Sequence, residues 1–426
     1  MPSRQDQLQS YQFLVQRVVA ALVARDIDPA RSPFHRLAGG TLAGVLLAAI
    51  AFGAVAAHAA VTGGDRADWG DPRAIVVEKE SGARFVFRGG ALHPVPNYAS
   101  ALLIAGGAGT TVLVSRADLR GAPRGVPLGI AGAPDALPDA ARLAGHWTVC
   151  GAADGGALVI GRPAGGGAPL AGRALLAEHP DGTAHLIWQH RRHAIAERDL
   201  VAAALGWADE RPVRIPAPLL DALPAGSPLA RAAVPGEGTP SPAVPGAVVG
   251  EVFVVATQGG GREYAVAHRA GLAAITQVQA DLLLTDLDQD RPTALSQGEY
   301  ADLPKVPAPA PPGAPPPATT PALAPAGGAV CGEIGDGGTI TEVRVGARPP
   351  EAPVTVAPGS GALVASGGAV ALVTDLGQRH AITDPSVLAL LGYADVRPLR
   401  MPSALVEWIP EGPPLDPAAA PRPLTP

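Results

Sequence analysis

Apolar and polar positions divide this chain into three regions of different rhythm. In the first, Leu8, Tyr11, Val15, Val18 and Leu22 recur at steps of three and four, the spacing of one apolar seam on a helix. Ser3 with Asp6 three residues on predicts a capping-box-like start, and Pro29 marks an end. In the second, Leu37 to Val61 runs for 25 residues without a formally charged side chain. At ~1.5 Å per residue, a helix of that length crosses a hydrocarbon core of ~30 Å with some tilt. In the third, from residue 62 onward, apolar residues come in short runs broken by Gly and Pro. That pattern predicts short strands, tight turns and short helices.

Charge gives the span a direction. Arg4, Arg17, Arg25, Arg31 and Arg36 precede it, and the first charges beyond it are mixed: Asp65, Arg66, Asp68, Asp71 and Arg73. The arginine bias predicts a single-pass plasma-membrane protein with its N-terminus in the cytoplasm and its C-terminal bulk extracytoplasmic. A cleaved signal peptide is the competing reading, since Ala57-His58-Ala59 fits a small-x-small cleavage site. Secretory apolar regions are typically about 7–15 residues long behind a short basic segment, which favours an uncleaved anchor here.

An internal repeat organises the outer region. ALGWADERPVRIPAPLLDALPAGSPL (Ala204 to Leu229) aligns without gaps on LLGYADVRPLRMPSALVEWIPEGPPL (Leu390 to Leu415), with 13 identities in 26 positions. Upstream, Arg192-His193-Ala194-Ile195 matches Arg379-His380-Ala381-Ile382. Each copy predicts a strand ending in Ala-Ile, a short helix (Glu197 to Leu205, Pro385 to Leu391) and an extended exit. Arg84 to Leu128 and Glu251 to Leu284 have a similar plan without the identity. Two further segments, Trp147 to Ile160 and Val330 to Arg348, alternate like strands and each carries a cysteine.

The fold class expected is therefore α+β: a β-rich outer part of about four small repeat units around a central sheet, with a cytoplasmic helix and one transmembrane helix. The expected divisions are a leader helix region (1–36), the span (37–61), a first unit (62–135) and a central segment with Cys150 (136–181). A second unit (182–230) and a third (231–303) follow. Then come a proline-rich linker (304–325), a central segment with Cys331 (326–361), a fourth unit (362–409) and a disordered tail (410–426). The linker holds 10 prolines in 22 residues, a composition that favours extended chain.

Composition excludes some functions. With 53 Gly and 47 Pro in 426 residues, turn formers outweigh long helices outside the leader and span. A net charge of −6 and an aromatic share of 4% argue against nucleic-acid binding. Cys150 and Cys331 both lie beyond the span, and an even count in an oxidising compartment predicts one disulfide, against two buried thiols as the plain reading.

Catalytic signatures are missing. A P-loop needs Gly-Lys-Ser/Thr, but Lys79 precedes Glu80 and Lys305 precedes Val306. No G-x-G-x-x-G run, G-x-S-x-G elbow or H-E-x-x-H pattern occurs. His179, His185, His190 and His193 cluster locally, yet His193 recurs as His380, which favours a structural role over a metal site. Asp286-x-Asp288-x-Asp290 opens like a calcium loop, but Arg291 and Gln297 stand where such a loop wants Gly and Glu, so a solvated turn is expected. Gly165 to Gly167 and Gly259 to Gly261 are expected to be loops. No cofactor or metal is expected. The leader seam fits either a docking helix or a helix lying on the membrane, and its narrowness favours docking.

These residues resemble a family. SRQDQLQSYQFLVQRVVAALVARD (Ser3 to Asp26) directly before one span is similar to the N-terminus of EccB, a membrane component of actinobacterial type VII (ESX) secretion systems. ALHPVPNYASALLI (Ala91 to Ile104), PRGVPLGIAGAPDALP (Pro123 to Pro138) and Trp147-Thr148-Val149-Cys150 follow in family order. The resemblance implies a structural single-pass subunit of the secretion core complex, with an elongated outer part of small repeats around a disulfide-bearing central domain. It implies assembly with other copies of itself and with the ATPase EccC, the multispanning EccD and EccE. ATP hydrolysis proposed for family members is not carried over without a P-loop. The family's repeats are similar in fold to a wall-binding subunit of a phage lysin, so cell-wall (peptidoglycan) binding is the runner-up function.

Overall fold

The computed structural model describes residues 3–24, 34–62, 69–107, 109–152, 155–163, 165–308, 312–325, 327–335, 337–348 and 350–424. The chain forms two units, residues 1–68 and 69–426.

The first unit consists of two helices. α1 (Arg4–Ala24) begins as its sequence predicts: Ser3 N–H donates to Asp6 Oδ2 at 3.0 Å, and Asp6 N–H donates back to Ser3 Oγ at 3.4 Å. Pro29 lies outside the described residues. α2 (Phe34–Thr62) is one helix of 29 residues that contains the uncharged run 37–61. Side chains within that run are described only for residues 40–55. Among the described residues, no helix is long and apolar enough to cross a membrane.

In the second unit, a first small sheet forms from β1 (Ile75–Glu78), β2 (Arg84–Arg88), β3 (Ala91–Val95) and, after helix α3 (Tyr98–Ala105), β4 (Thr111–Val114). Its order is β3-β2-β1-β4, with β4 parallel to β1. α3 starts where Asn97 caps the Ser100 N–H at 3.0 Å and stops at Gly106, whose φ of 81° is a left-handed cap that a Cβ would strain. Three strands of the central sheet follow: β5 (Trp147–Ala152), β6 (Gly155–Ile160) and β7 (Gly166–Pro169).

The second small sheet repeats the path of the first with β8 (Leu175–Glu178), β9 (Ala184–Trp188), β10 (Arg191–Ala194), α4 (Arg198–Ala204) and β11 (Val213–Arg214) in the order β10-β9-β8-β11. α5 (Ala217–Asp221) follows. The third contains β12 (Val252–Ala256), β13 (Arg262–His268), β14 (Gly271–Ile275), α6 (Gln277–Asp286), β15 (Thr293–Leu295), α7 (Gln297–Asp302) and β16 (Lys305–Val306), in the order β15-β12-β13-β14-β16. The central sheet is then completed by β17 (Ala329–Ile334), β18 (Ile340–Ala347) and β19 (Val354–Val356). The fourth small sheet has β20 (Ala362–Ser366), β21 (Ala369–Val373), β22 (Arg379–Ile382), α8 (Ser386–Leu390) and β23 (Leu399–Arg400), in the order β22-β21-β20-β23, with α9 (Ser403–Val406) behind it.

The central sheet runs β19-β6-β5-β17-β18-β7. Each chain half thus supplies a hairpin and sends its third strand to the other half's hairpin: β7 pairs with β18, and β19 with β6. Trp147, Val149, Leu158 and Ile160 on this sheet pack with Leu219 and Leu220 of α5 and with Leu405 and Val406 of α9. The first and fourth sheets share a core containing Ile75, Val86, Leu102, Leu372, Val387 and Tyr393. The second and third share another, in which Val201, Leu205 and Trp207 meet Val278 and Leu282. Every small sheet therefore hides one face against another, as sheets this small need to.

Several expectations need correction. The tail is not disordered over its described part, 410–424: Leu415 and Ala420 are fully buried in the core between the first and fourth sheets, and Leu424 N–H donates to Pro127 O at 3.0 Å. The 304–325 segment is extended but is no free linker. Its carbonyls accept from Ser227 N–H (at Ala314, 2.9 Å), Val278 N–H (at Ala318, 3.2 Å) and Ala174 N–H (at Ala322, 2.9 Å). Proline removes donors but leaves every carbonyl free to accept, so such chain docks as a strap. Gly166 and Gly167 belong to edge strand β7 rather than a loop. The second repeat unit begins at β8, ahead of 182, because β8 supplies its first strand. The exits of the second and fourth sheets are not wholly extended, since α5 and α9 interrupt them.

Candidate functional site

On α1, all five seam residues are open to solvent within the chain: Leu8 60%, Tyr11 68%, Val15 43%, Val18 49% and Leu22 77% exposed. At about 100° per residue they fall on one side of the helix. Leu14 extends that side, while Phe13, also exposed, projects from the opposite one. The seam is thus broader than the sequence spacing suggests. The described residues of this chain leave it uncovered, and apolar surface of that extent is costly in water.

Cys150 and Cys331 form a disulfide across β5 and β17, where they stand opposite each other in the antiparallel register. The bond ties the two hairpins of the central sheet at the point where the chain halves meet, closing a sequence separation of 181 residues. Both cysteines are buried, so the bond is structural and inaccessible to partners.

Three small sheets end in the same device. In the second, the chain returns as Pro224-Ala225-Gly226-Ser227-Pro228-Leu229 along β10, with Arg192 N–H donating to Pro224 O at 3.0 Å and Gly226 N–H to Arg192 O at 2.8 Å. The His193 ring lies where a Cβ on Gly226 would overlap it, and His193 Nδ1 stands 2.7 Å from Ser227 O. The fourth sheet repeats this with Pro410-Glu411-Gly412-Pro413-Pro414-Leu415, Gly412 facing His380 and His380 Nδ1 3.0 Å from Pro413 O. The first does so with Pro123-Arg124-Gly125-Val126-Pro127-Leu128, Gly125 facing His93 and His93 Nδ1 2.9 Å from Val126 O. His93 is the member that the sequence reading missed. The P-x-G-x-P-L string, present in all three segments, was the signal that could have found it.

The local histidines separate accordingly. His193 is a structural closure residue. His190 and Gln189 occupy the tight turn before β10 at positive φ (59° and 46°). His179 pairs with Asp181 at 2.8 Å; the Thr183 N–H and hydroxyl bonded to the Asp181 carboxyl, and after them His179, hold that carboxyl down at about 2. Among the described residues, no group of three or more His, Cys, Asp or Glu is arranged to hold a metal ion. Asp286 of the calcium-like string is paired with Arg231 at 2.6 Å.

An open cleft of about 610 Å³ is lined by Glu178, His179, Asp181, Arg214 and Gly155. Its charges already have partners. Glu178 meets Arg214 at 3.2 Å and Arg198 at 3.5 Å, and Asp221 alongside meets Arg192. Glu178 is neutralised by guanidinium groups and Asp181 pairs with His179, and the described lining holds no Ser, Thr, Cys or Lys nucleophile.

Comparisons with known proteins agree with this architecture. The family model described as "Type VII secretion system ESX-1, transport TM domain B" matches residues 1–423. The "ESX-2 secretion system ATPase EccB2" of Mycobacterium tuberculosis (strain ATCC 25618 / H37Rv) is 35% identical over 49% of this chain and 45% of that protein. The "ESX-3 secretion system ATPase EccB3" of the same strain is 28% identical over 70% of this chain and 60% of the relative. The chain thus spans about half the length of the curated relatives it matches. Among solved structures, the EccB3 dimer from the ESX-3 core complex has a TM-score of 0.67 at 25% identity, covering 82% of this chain and 99% of the other. A chain of an intact ESX-5 inner membrane complex has a TM-score of 0.66 at 24% identity, covering 100% of this chain and 96% of the other, a likeness of fold. With the family model matched from end to end, the chain belongs to the EccB family of type VII secretion proteins.

Proposed function

We propose that this protein is a structural, single-pass subunit of a type VII secretion core complex, contributing assembly rather than turnover. The observation that carries this reading is the combination of an exposed apolar helix α1 with small sheets interlocked around one disulfide-tied central sheet. The N-terminus lies in the cytoplasm, the uncharged run 37–61, which extends on both sides beyond the side chains described at 40–55, crosses the plasma membrane, and residues beyond 62 are extracytoplasmic. The five arginines ahead of residue 37 and the uncharged run after them support that orientation. Other copies of the chain and subunits of the EccC, EccD and EccE types are its partners, and nucleotide is not its substrate.

α1 docks on cytoplasmic partners through Leu8, Tyr11, Val15, Val18 and Leu22. Each such side chain contributes roughly 1.5–3 kcal/mol when fully covered, and an unpaired carboxylate in its place costs more still. Val15→Asp with Val18→Asp is expected to strip partner subunits from the purified complex and abolish export, while the protein still fractionates with membranes. Complete recovery of the complex with normal export would overturn the docking role. Nucleotide turnover by the purified full-length protein, removed by one substitution, would overturn the non-enzymatic reading. Sedimentation of the full-length protein with purified peptidoglycan, independent of partners, would favour the wall-binding alternative.

A further inference from the structure

The closure of the small sheets has one exception. In the third sheet, Leu272 N–H donates to Pro304 O at 2.8 Å, the same bond that opens the closure elsewhere, and Ala273 pairs with Val306 in parallel register. Ala273 therefore stands where the other sheets have His, and Val306 where they have Gly. Both members change together, and the reason is volume. A ring leaves no room for a Cβ opposite, whereas an alanine leaves room for a valine side chain. Three closures depend on an ionisable ring, and one does not.

The proton count at the rings is set by their partners. A backbone carbonyl only accepts, so His193 Nδ1 and His380 Nδ1 carry the hydrogens given to Ser227 O and Pro413 O. A second proton must then enter at Nε2. His193 Nε2 is buried and has no hydrogen-bond partner among the described residues. On its own strand, Arg191 adds like charge, and Arg192 is engaged with Asp221 of α5. Opposite it on β9 is Leu186, with His185 the next titratable group on that strand. The segment 224–229 and the strap residues 312–314 over it carry no ionisable side chain. Around His380, Leu372 is the register partner on β21, and Arg379 is paired with Glu411 of the returning segment at 2.9 Å. Burial holds both rings below the ordinary imidazole range.

We propose that His193 and His380 are acid-release latches. Protonation frees Pro224–Leu229 and Pro410–Leu415 from their sheets, while the third sheet, shut by Val306 against Ala273, stays closed. Ser227 Oγ donates to Pro312 O at 2.8 Å, and the chain after Leu415 runs on to the first sheet. Release therefore loosens the strap in one place and the tail in the other. The sign follows from linkage. In the opened state each ring titrates near about 6.5, and in the closed state lower. Opening therefore takes up a proton and is favoured progressively as pH falls below that value, by at most about tenfold per pH unit for one ring.

Hydrogen exchange of the full-length protein in detergent, at pH 7.5 and 5.5 and corrected for intrinsic rates, tests this. The amides of Gly226, Leu229, Gly412 and Leu415 should lose about five- to tenfold of their protection at pH 5.5, while peptide 304–307 keeps its own. Equal behaviour of the three segments, protected or not, overturns the proposal. Transplanting the third-sheet pair as His193→Ala with Gly226→Val should retain protection of 224–229 at pH 7.5 and remove its pH dependence, leaving 410–415 responsive. Persisting pH dependence at 224–229 in that variant also overturns it. Should the variant fail to fold, the comparison of segments in the unaltered chain decides alone.

Discussion

The second and third small sheets lie against each other through α4 and α6, follow the same strand path, and are shut by opposite means. In one, a buried ring reaches over a glycine to a carbonyl. In the other, a valine fills the space above an alanine. The difference teaches that the closure is defined by the volume and hydrogen bonds of a residue pair, so neither member can be judged alone. It also separates what each closure needs from solvent. A ring that must stay neutral makes stability depend on pH, and an aliphatic pair does not.

The sharpest way to break the comparison is to remove what lies just beyond it. Leu229 ends the returning segment of the second sheet, bridges Ile195 and is fully buried, while the third sheet has the exposed Ala308 near the same point. Leu229→Ala is expected to destabilise the protein by about 2–5 kcal/mol, the usual range for a leucine cavity. Ala308→Gly should change stability by less than about 1 kcal/mol. Denaturant titration of both variants measures the contrast, and equal effects would mean that the two closures bear the same load.

A smaller effect is expected at the glycine itself. Gly226→Ala adds a methyl group into the His193 ring and should cost roughly 1–3 kcal/mol through overpacking. The same change at Val306, Val306→Ala, removes atoms from a half-buried site and should cost about 1 kcal/mol. One substitution creates a clash and the other a gap, although both place alanine at the equivalent position. If Gly226→Ala is neutral in thermal unfolding, the ring has room to move and volume does not define the closure.

How much of this was legible beforehand depended on whether the chemistry was local. The second and fourth sheets announce themselves because strand, helix and exit all recur in register between Arg192 and Leu229 and between Arg379 and Leu415. The first sheet shares only its ring and its P-x-G-x-P-L string, two features thirty residues apart, and the third has lost both. The tail was misread because its proline-rich composition outweighed the repeat, in which Leu415 matches Leu229, and because Ala420 carries no signal of its own. Both tail residues are buried by cores belonging to two sheets distant in the chain, which composition does not encode. Gly166 and Gly167 show no alternation and become a strand only because β18 offers an open edge. The cysteine pair was readable from count, compartment and the strand-like alternation of both segments, whereas the direct antiparallel pairing of β5 with β17 that sets the two residues opposite each other was not. On α1 the seam spacing was visible, but Phe13 on the opposite side does not belong to it.

The finest test of the comparison concerns the strap. Ser227 is almost fully buried, and its hydroxyl donates to Pro312 O at 2.8 Å while its N–H donates to Ala314 O at 2.9 Å. Ser227→Ala removes the first bond, keeps the second and leaves the His193 contact to the Ser227 carbonyl intact. A neutral hydrogen bond contributes about 0.5–1.5 kcal/mol, so global stability should fall by about that amount. The local consequence is more telling than the global one. Exchange of the Ser227 N–H, which donates to Ala314 O, should accelerate, because the strap loses one of its two anchors on this residue, while Gly226 and Leu229, held by β10, keep their protection. Acceleration of all of them together would mean that strap and returning segment open as one cooperative piece, and that the second sheet is shut from above as much as from its own edge.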